Sequence, residues 1–168
     1  VETKHPKPQT VYEVTVVFGL VAPAGQPSQL QTYPDLKRLT PLPSVEAPLV
    51  VYAGVSKSGK GALFTVVGEV ILKGTGVCVP SATSCESIEL AAGASEQLEV
   101  INSAGQPVLY ELKVEKIEKK STTLAAAGRV RKRVSRAGGL LLRREGLTHV
   151  TGVRYLPATG LLEVRHGF

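Results

Sequence analysis

The first residues whose type and spacing could support chemistry are Cys78 and Cys85, with Val-Pro-Ser-Ala-Thr-Ser between them. The spacing is too long for a C-x-x-C redox motif. A lone pair cannot complete a tetrahedral metal site without two further ligands, and the three histidines, His5, His149 and His166, are scattered along the chain. A pair of unrelated buried thiols is one reading. The better one is a local disulfide, because the short loop lets its two ends meet at bonding distance. Such a bond places the domain outside the cytoplasm. Closing so short a loop contributes about 2–3 kcal/mol and pins a hairpin without taking part in a reaction.

The second feature is a cluster of cations. Residues 1–115 hold eight Lys/Arg against eleven Asp/Glu, a net of −3, whereas residues 116–168 hold twelve against three, a net of +9. Arg129, Arg131, Lys132, Arg133 and Arg136 fall within eight residues, and Arg143 and Arg144 follow. A run of this kind suits an anionic partner: nucleic acid, phospholipid headgroups or an acidic protein surface. It also fits a solvated helix face whose Arg stems cover neighbouring apolar surface. No aromatic residues interleave with the cations to stack on bases, which counts against nucleic acid. The Trp and Phe of an interfacial membrane anchor are missing too.

Gly54-Val-Ser-Lys-Ser-Gly-Lys-Gly61 comes close to the phosphate loop G-x-x-x-x-G-K-[ST]. Gly61 brings no hydroxyl for Mg²⁺, and the next residues, Ala62-Leu-Phe-Thr-Val-Val67, read as a strand where that motif needs a helix N-terminus. A hairpin turn explains the same glycines. There is no Gly-x-Ser-x-Gly elbow, and none of the histidines sits in a context typical of a base. Asp35 is the only aspartate. Glu86, Glu89, Glu96, Glu99 and Glu111 mostly alternate with apolar residues, which assigns them to the solvent faces of strands. No pair stands out as an acid and base, so the expectation is a protein that is not an enzyme and needs no cofactor or metal.

The elements that position these residues are mainly strands. The chain has 168 residues, 43% of them hydrophobic, with 17 Gly, 11 Pro and no Trp or Met. That suits one domain of short strands broken by turns. Strands are expected at residues 11–18, 49–55, 62–67, 86–90, 95–101 and 108–117. Residues 21–31 read as a loop, Tyr33–Leu39 as one helical turn, and Thr40–Pro48 as extended. Val108, Tyr110, Leu112 and Val114 fall on one face of the longest strand. The result is a mainly β fold, a sandwich or barrel, and α+β overall.

After Lys119 the character changes. Residues 121–138 read as one basic amphipathic helix, N-capped by Ser or Thr and stopped by Gly138. Its apolar stripe is Leu124, Ala127, Val130, Val134 and Ala137. Residues 150–165 read as a terminal hairpin. The domain reading is a polar tether over 1–10, a β-rich domain with its disulfide over 11–118, and the helix and hairpin over 119–168, packed on the same domain. Residues 1–168 hold no signal peptide and no run of spanning length, so either one would lie upstream of Val1.

The stretch from Leu39-Thr-Pro-Leu-Pro-Ser44 through Leu49-Val-Val-Tyr-Ala-Gly-Val-Ser-Lys-Ser-Gly-Lys60 to Cys78-Val-Pro-Ser-Ala-Thr-Ser-Cys85 resembles an uncharacterised group of actinobacterial proteins associated with type IV pilus assembly genes. The likeness runs from about Val11 to Leu142 and includes Val134-Ser-Arg-Ala-Gly138. It implies an extracytoplasmic domain behind one membrane-spanning segment, with an accessory or alignment role in the pilus machinery, and it carries no active-site residues. The leading expectation is therefore protein–protein contact with partners of an envelope assembly, through the basic helix or an unpaired strand edge. A nucleic-acid or anionic-polymer binder, as in DNA uptake, is the alternative, and a filament subunit ranks last.

Overall fold

The structure, a computed structural model, describes residues 7–166. In chain order the strands are β1 (Gln9–Leu20), β2 (Gln29–Tyr33), β3 (Pro41–Leu42), β4 (Val50–Val55), β5 (Gly61–Val66), β6 (Ile71–Gly74), β7 (Val77–Ser81), β8 (Ser84–Ala91), β9 (Ser95–Ile101) and β10 (Pro107–Thr122). Two helices follow, α1 (Leu124–Lys132) and α2 (Arg136–Arg144), and then a hairpin of β11 (Val153–Leu156) and β12 (Leu161–Val164).

Two five-stranded antiparallel sheets, ordered β2-β1-β10-β9-β6 and β3-β4-β5-β8-β7, pack face to face. Side-chain alternation decides what they bury. Val14, Val16 and Phe18 of β1 and Leu112 and Val114 of β10 point inward from the first sheet, and Val50, Tyr52, Phe64, Ile88 and Leu90 meet them from the second. The fold is thus a sandwich with a small helical part. Two bulges re-aim the alternation. One leaves Glu115 unpaired on β10, so that Val114 and then Ile117 face the core. The other leaves Ala53 unpaired on β4, so that Tyr52 and then Val55 face inward.

The outer face of the second sheet is covered as well. Leu141 and Leu142 of α2 bury against Val51 and Val67, with Leu39 and Leu147 at the margin. Burying two leucines in this way is worth roughly 1.5–3 kcal/mol each. α2 therefore forms a third layer over this sheet, whereas α1 packs against β1 of the first sheet.

Several expectations are corrected. The basic segment is two helices, not one, broken at Arg133–Ser135. There Val134 lies in a parallel bridge with Arg38, and the Ser135 amide donates to the Arg38 carbonyl at 2.8 Å. Pairing with a neighbouring chain segment replaces the helical bonds at that point. Ser135 then caps α2, its hydroxyl accepting from the Gly138 amide at 3.2 Å. Gly138 is no stop, since α2 runs through it. It is needed for close approach: a Cβ there would fall on the carbonyl oxygen of Leu39. The expected apolar stripe does not form one buried face either. Ala127 is buried, but Leu124, Val130 and Val134 are exposed.

Other boundaries move. Gln9 and Thr10 of the expected tether belong to β1 and pair with Thr122 and Ser121 of β10, which crosses the expected boundary at residue 118. Residues 1–6, with the rest of that tether, lie outside the described residues. The expected loop over 21–31 ends in β2, and the expected helical turn at Tyr33–Leu39 is non-helical, with positive φ at Asp35 and Leu39. The near phosphate-loop segment is the β4–β5 hairpin turn, with Gly59 at φ 76°. Among the described residues no helix is long and apolar enough to cross a membrane.

Candidate functional site

Cys78 and Cys85 form the expected disulfide, their Cα atoms 4.9 Å apart. It joins β7 to β8 at the edge of the second sheet, where the two strands pair through Pro80↔Cys85. The bond fits a non-reducing environment. Neither cysteine lies near the cations.

The break between the helices divides the basic residues into two sets. Arg129, Lys132, Arg136, Arg143 and Arg144 point to solvent. Of these Arg144 has a carboxylate neighbour, Glu145, at 3.5 Å. Arg131 and Arg133 turn the other way. Arg131 reaches β1, where its terminal nitrogen donates to Gln9 Oε1 at 3.2 Å and to the Thr10 carbonyl at 3.5 Å. Its Nε is buried and has no hydrogen-bond partner among the described residues. Arg133 pairs with Asp35 at 2.8 Å, a half-exposed contact.

Both arginines line a cleft of about 60 Å³ between α1, the start of β1, the 35–38 segment and the turn of the terminal hairpin. Lys37, Arg38 and Tyr52 line it too, and Val11, Leu36, Val55, Val130 and Leu161 give it apolar walls. Each charged group arrives by an identifiable route. The β4 bulge frees the Ala53 carbonyl, which accepts from Arg38 Nε at 2.8 Å. The Arg38 guanidinium lies over the Tyr155 ring, 4.3 Å from its centroid, a cation–π contact. Burial lowers the Arg38 pKa, with Tyr155 and Tyr52 opposing that. Gly160 at the hairpin turn leaves room for Arg131: a Cβ there would come within 2.8 Å of Arg131 Cγ.

The loop presenting Lys37 and Arg38 is held between two non-glycine residues in the left-handed region, Asp35 at φ 45° and Leu39 at φ 65°. Backbone of this kind is costly and persists where surrounding contacts enforce it. Tyr52 is 3% exposed and packs against Phe64 with the rings tilted by 43° and their centroids 5.5 Å apart. Burial pushes its phenol pKa well up, with Arg38 opposing and Asp35 adding to the shift. At physiological pH it is a neutral hydrogen-bond donor. The cleft thus carries four cations and one carboxylate, beside a buried phenol and an unpaired buried N–H.

Lys37, Arg38, Asp35 and Tyr52 are absent from the residues singled out by the sequence. The one available signal was the cation pair beside the sole aspartate in Tyr33-Pro-Asp-Leu-Lys-Arg38.

One carboxylate departs from its expected place. Glu96 is not on a solvent face: it points inward from β9, is 4% exposed, and accepts from the Gly76 amide at 2.8 Å. Burial raises its pKa, and the Gly76 hydrogen bond opposes that. It closes the β6–β7 connection and has no other acidic partner in a metal-binding group; among the described residues no three His, Cys, Asp or Glu gather as one. Comparison with known protein families, with characterised proteins and with solved structures finds no match.

Proposed function

We propose that this chain is a non-enzymatic, extracytoplasmic protein-interaction domain, working as an accessory or alignment component of a type IV pilus-like envelope assembly, with the two-helix layer as its contact surface. The observation that carries the reading is the mixed character of that layer. Leu124, Val130, Val134 and Leu140 stand exposed among Arg129, Lys132, Arg136 and Arg143. On α2, Arg136, Leu140 and Arg143 recur at helical spacing along one side. Exposed apolar side chains interleaved with arginine are the composition of an interface core more than of a solvated helix face. The disulfide supports the compartment, and the resemblance noted above supports the assembly.

The test replaces Arg129, Lys132, Arg136 and Arg143 together with Glu, leaving the half-buried Arg131 in place. Pull-down of envelope partners should be lost while the melting temperature stays put. An undiminished pull-down refutes the proposal. A labelled oligonucleotide titrated at two salt concentrations supplies the competing outcome: tight binding that falls steeply with salt assigns the surface to a polyanion instead.

A further inference from the structure

We propose that the cleft between α1, β1, the 35–38 segment and the terminal hairpin is a carboxylate socket that takes an acidic side chain from a partner peptide. The carboxylate chemistry follows from the cleft itself; only the identity of its occupant as a peptide rests on the protein-contact reading above.

Charge comes first. Lys37, Arg38, Arg131 and Arg133 line the cleft, and Asp35 is the one anion beside them. It is committed to Arg133 at 2.8 Å. Among the described residues three cations are left without a carboxylate in a partly apolar space, where charge interactions are stronger than in water.

Hydrogen bonding comes second. A buried, unpaired N–H costs about 1–3 kcal/mol, and native proteins rarely leave one unexplained. Arg131 Nε is such a group, and its side chain lines the cleft. Tyr52 adds a phenol that is 3% exposed, opens on the same space, and makes no hydrogen bond through its hydroxyl among the described residues. Both residues line the one cleft, so an oxyanion bound there is the acceptor they have in common.

The walls choose among oxyanions. A planar carboxylate has two oxygens that match a guanidinium edge. The apolar lining of Val11, Leu36, Val55, Val130 and Leu161 suits the methylene stem of Asp or Glu. It offers nothing to the remaining oxygens of a phosphate. The strained backbone at Asp35 and Leu39 holds the Lys37–Arg38 segment in place before any ligand arrives, which lowers the ordering cost of binding.

The experiment follows the Arg131 Nε–Hε resonance by heteronuclear NMR on the full chain while titrating sodium acetate, an acetylated Gly-Glu-Glu-Gly amide, or inorganic phosphate. The expected result is a saturable shift with acetate and the peptide, weakened by added chloride salt, with the peptide tighter than acetate and phosphate weaker than both. Asp35→Asn removes the competing anion, and Asn tolerates positive φ. Acetate affinity should then rise about threefold or more. Arg131→Lys keeps the charge and removes the Nε donor, and should cost about tenfold, read for this variant from the backbone amide shifts of Lys37 and Leu161 at the cleft wall. Changing Arg129, Lys132 and Arg136 to Glu on the outer face leaves acetate binding in place, so loss of the helical interface and loss of the socket are read separately. A linear, non-saturating shift overturns the proposal, as does affinity indifferent to Asp35→Asn. Phosphate binding more tightly than acetate also overturns it and assigns the cleft to a phosphoester.

Discussion

Gly128 and Gly138 sit in adjacent helices, yet alanine should act on them in opposite directions. In an exposed helix interior, Gly→Ala gains up to about 1 kcal/mol, because alanine loses less backbone freedom on folding. Gly128 lies in the middle of α1, and a Cβ added there meets nothing within 4 Å. The propensity gain should therefore appear nearly whole. For a domain of this size that corresponds to a melting temperature higher by about 2–4 °C. At Gly138 the same gain is available in principle, but the added Cβ falls on the Leu39 carbonyl oxygen, and backbone cannot swing aside as a side chain can. Relief requires α2 to lift from Leu39, which loosens Leu141 and Leu142 from Val51 and Val67. Overpacking of this kind costs about 1–3 kcal/mol, and the obstruction by a main-chain atom puts this site at the upper end. Subtracting the propensity term leaves a net loss of about 1–2 kcal/mol, or about 2–8 °C. Thermal melts of Gly128→Ala, Gly138→Ala and the double variant, followed by circular dichroism, test the pair. The two effects should add in the double variant, since they share no contact. A Gly138→Ala protein as stable as the wild type would refute the argument that α2 is seated directly on the Leu39 backbone.

Three further outcomes follow from the same structure. Replacing Cys78 and Cys85 with Ser, or adding a reductant, should lower stability by about 2–3 kcal/mol, measured by urea denaturation, while leaving the Arg131 side-chain resonance unmoved because the bond lies at the other sheet edge. Glu96→Gln keeps an acceptor for the Gly76 amide and removes the buried charge. The wild-type carboxyl titrates above its ordinary 4.5 when folded, chiefly through burial. The folded state therefore binds the extra proton, and Glu96 adds stability below pH 4.5 that is lost as pH rises through the folded pKa. The stability difference between wild type and Glu96→Gln should shift against the wild type across that window; a difference flat with pH would sink the assignment of Glu96 as inward-facing. Arg133→Ala should cost under about 1 kcal/mol in the same assay, since its pair with Asp35 is half-exposed.

The longer strands were readable from the residues because each makes its own signal, whereas β2, β3, β6 and β7 were not among the expected strands. Ser95–Ile101 lies between the turn segments 91–94 and 102–107, and its limits match β9. The Gly-rich segment between Val55 and Ala62 announces a hairpin through glycine alone, without tertiary information. Helix and cleft were less readable for a shared reason. Leu124, Ala127, Val130, Val134 and Ala137 keep helical spacing across residues that are not one helix, because periodicity does not register a break imposed from outside. The break at Arg133–Ser135 is set by the bridge from Val134 to Arg38, ninety-six positions earlier in the chain. No local pattern carries that pairing.

The same contact decides what the arginines do. Had residues 124–137 stayed helical, Arg131 and Arg133 would have continued the turn of Arg129 and Lys132, and all of them would have read as one solvated face. Ending α1 at Lys132 puts Arg133 in extended backbone, φ −80° and ψ 93°, from which its side chain reaches Asp35. It also brings the Arg38 strand segment alongside Val134, so that Arg38 and Lys37 arrive at the cleft from the opposite wall. A single parallel bridge thus both ends a helix and assembles a site. Ser135→Pro, read beside Ser135→Ala, tests that coupling. Proline removes the Ser135 N–H that donates to the Arg38 carbonyl, and φ there is already −71°. Alanine keeps that N–H and loses only the hydroxyl that caps α2. Both variants lose the cap, so the comparison isolates the bridge bond. If the bridge holds the cleft together, the Arg131 Nε–Hε resonance should move and acetate binding weaken in Ser135→Pro but not in Ser135→Ala. Acetate binding equal in the two variants would mean that the cleft is held by its other walls, and that the helix break and the site are independent.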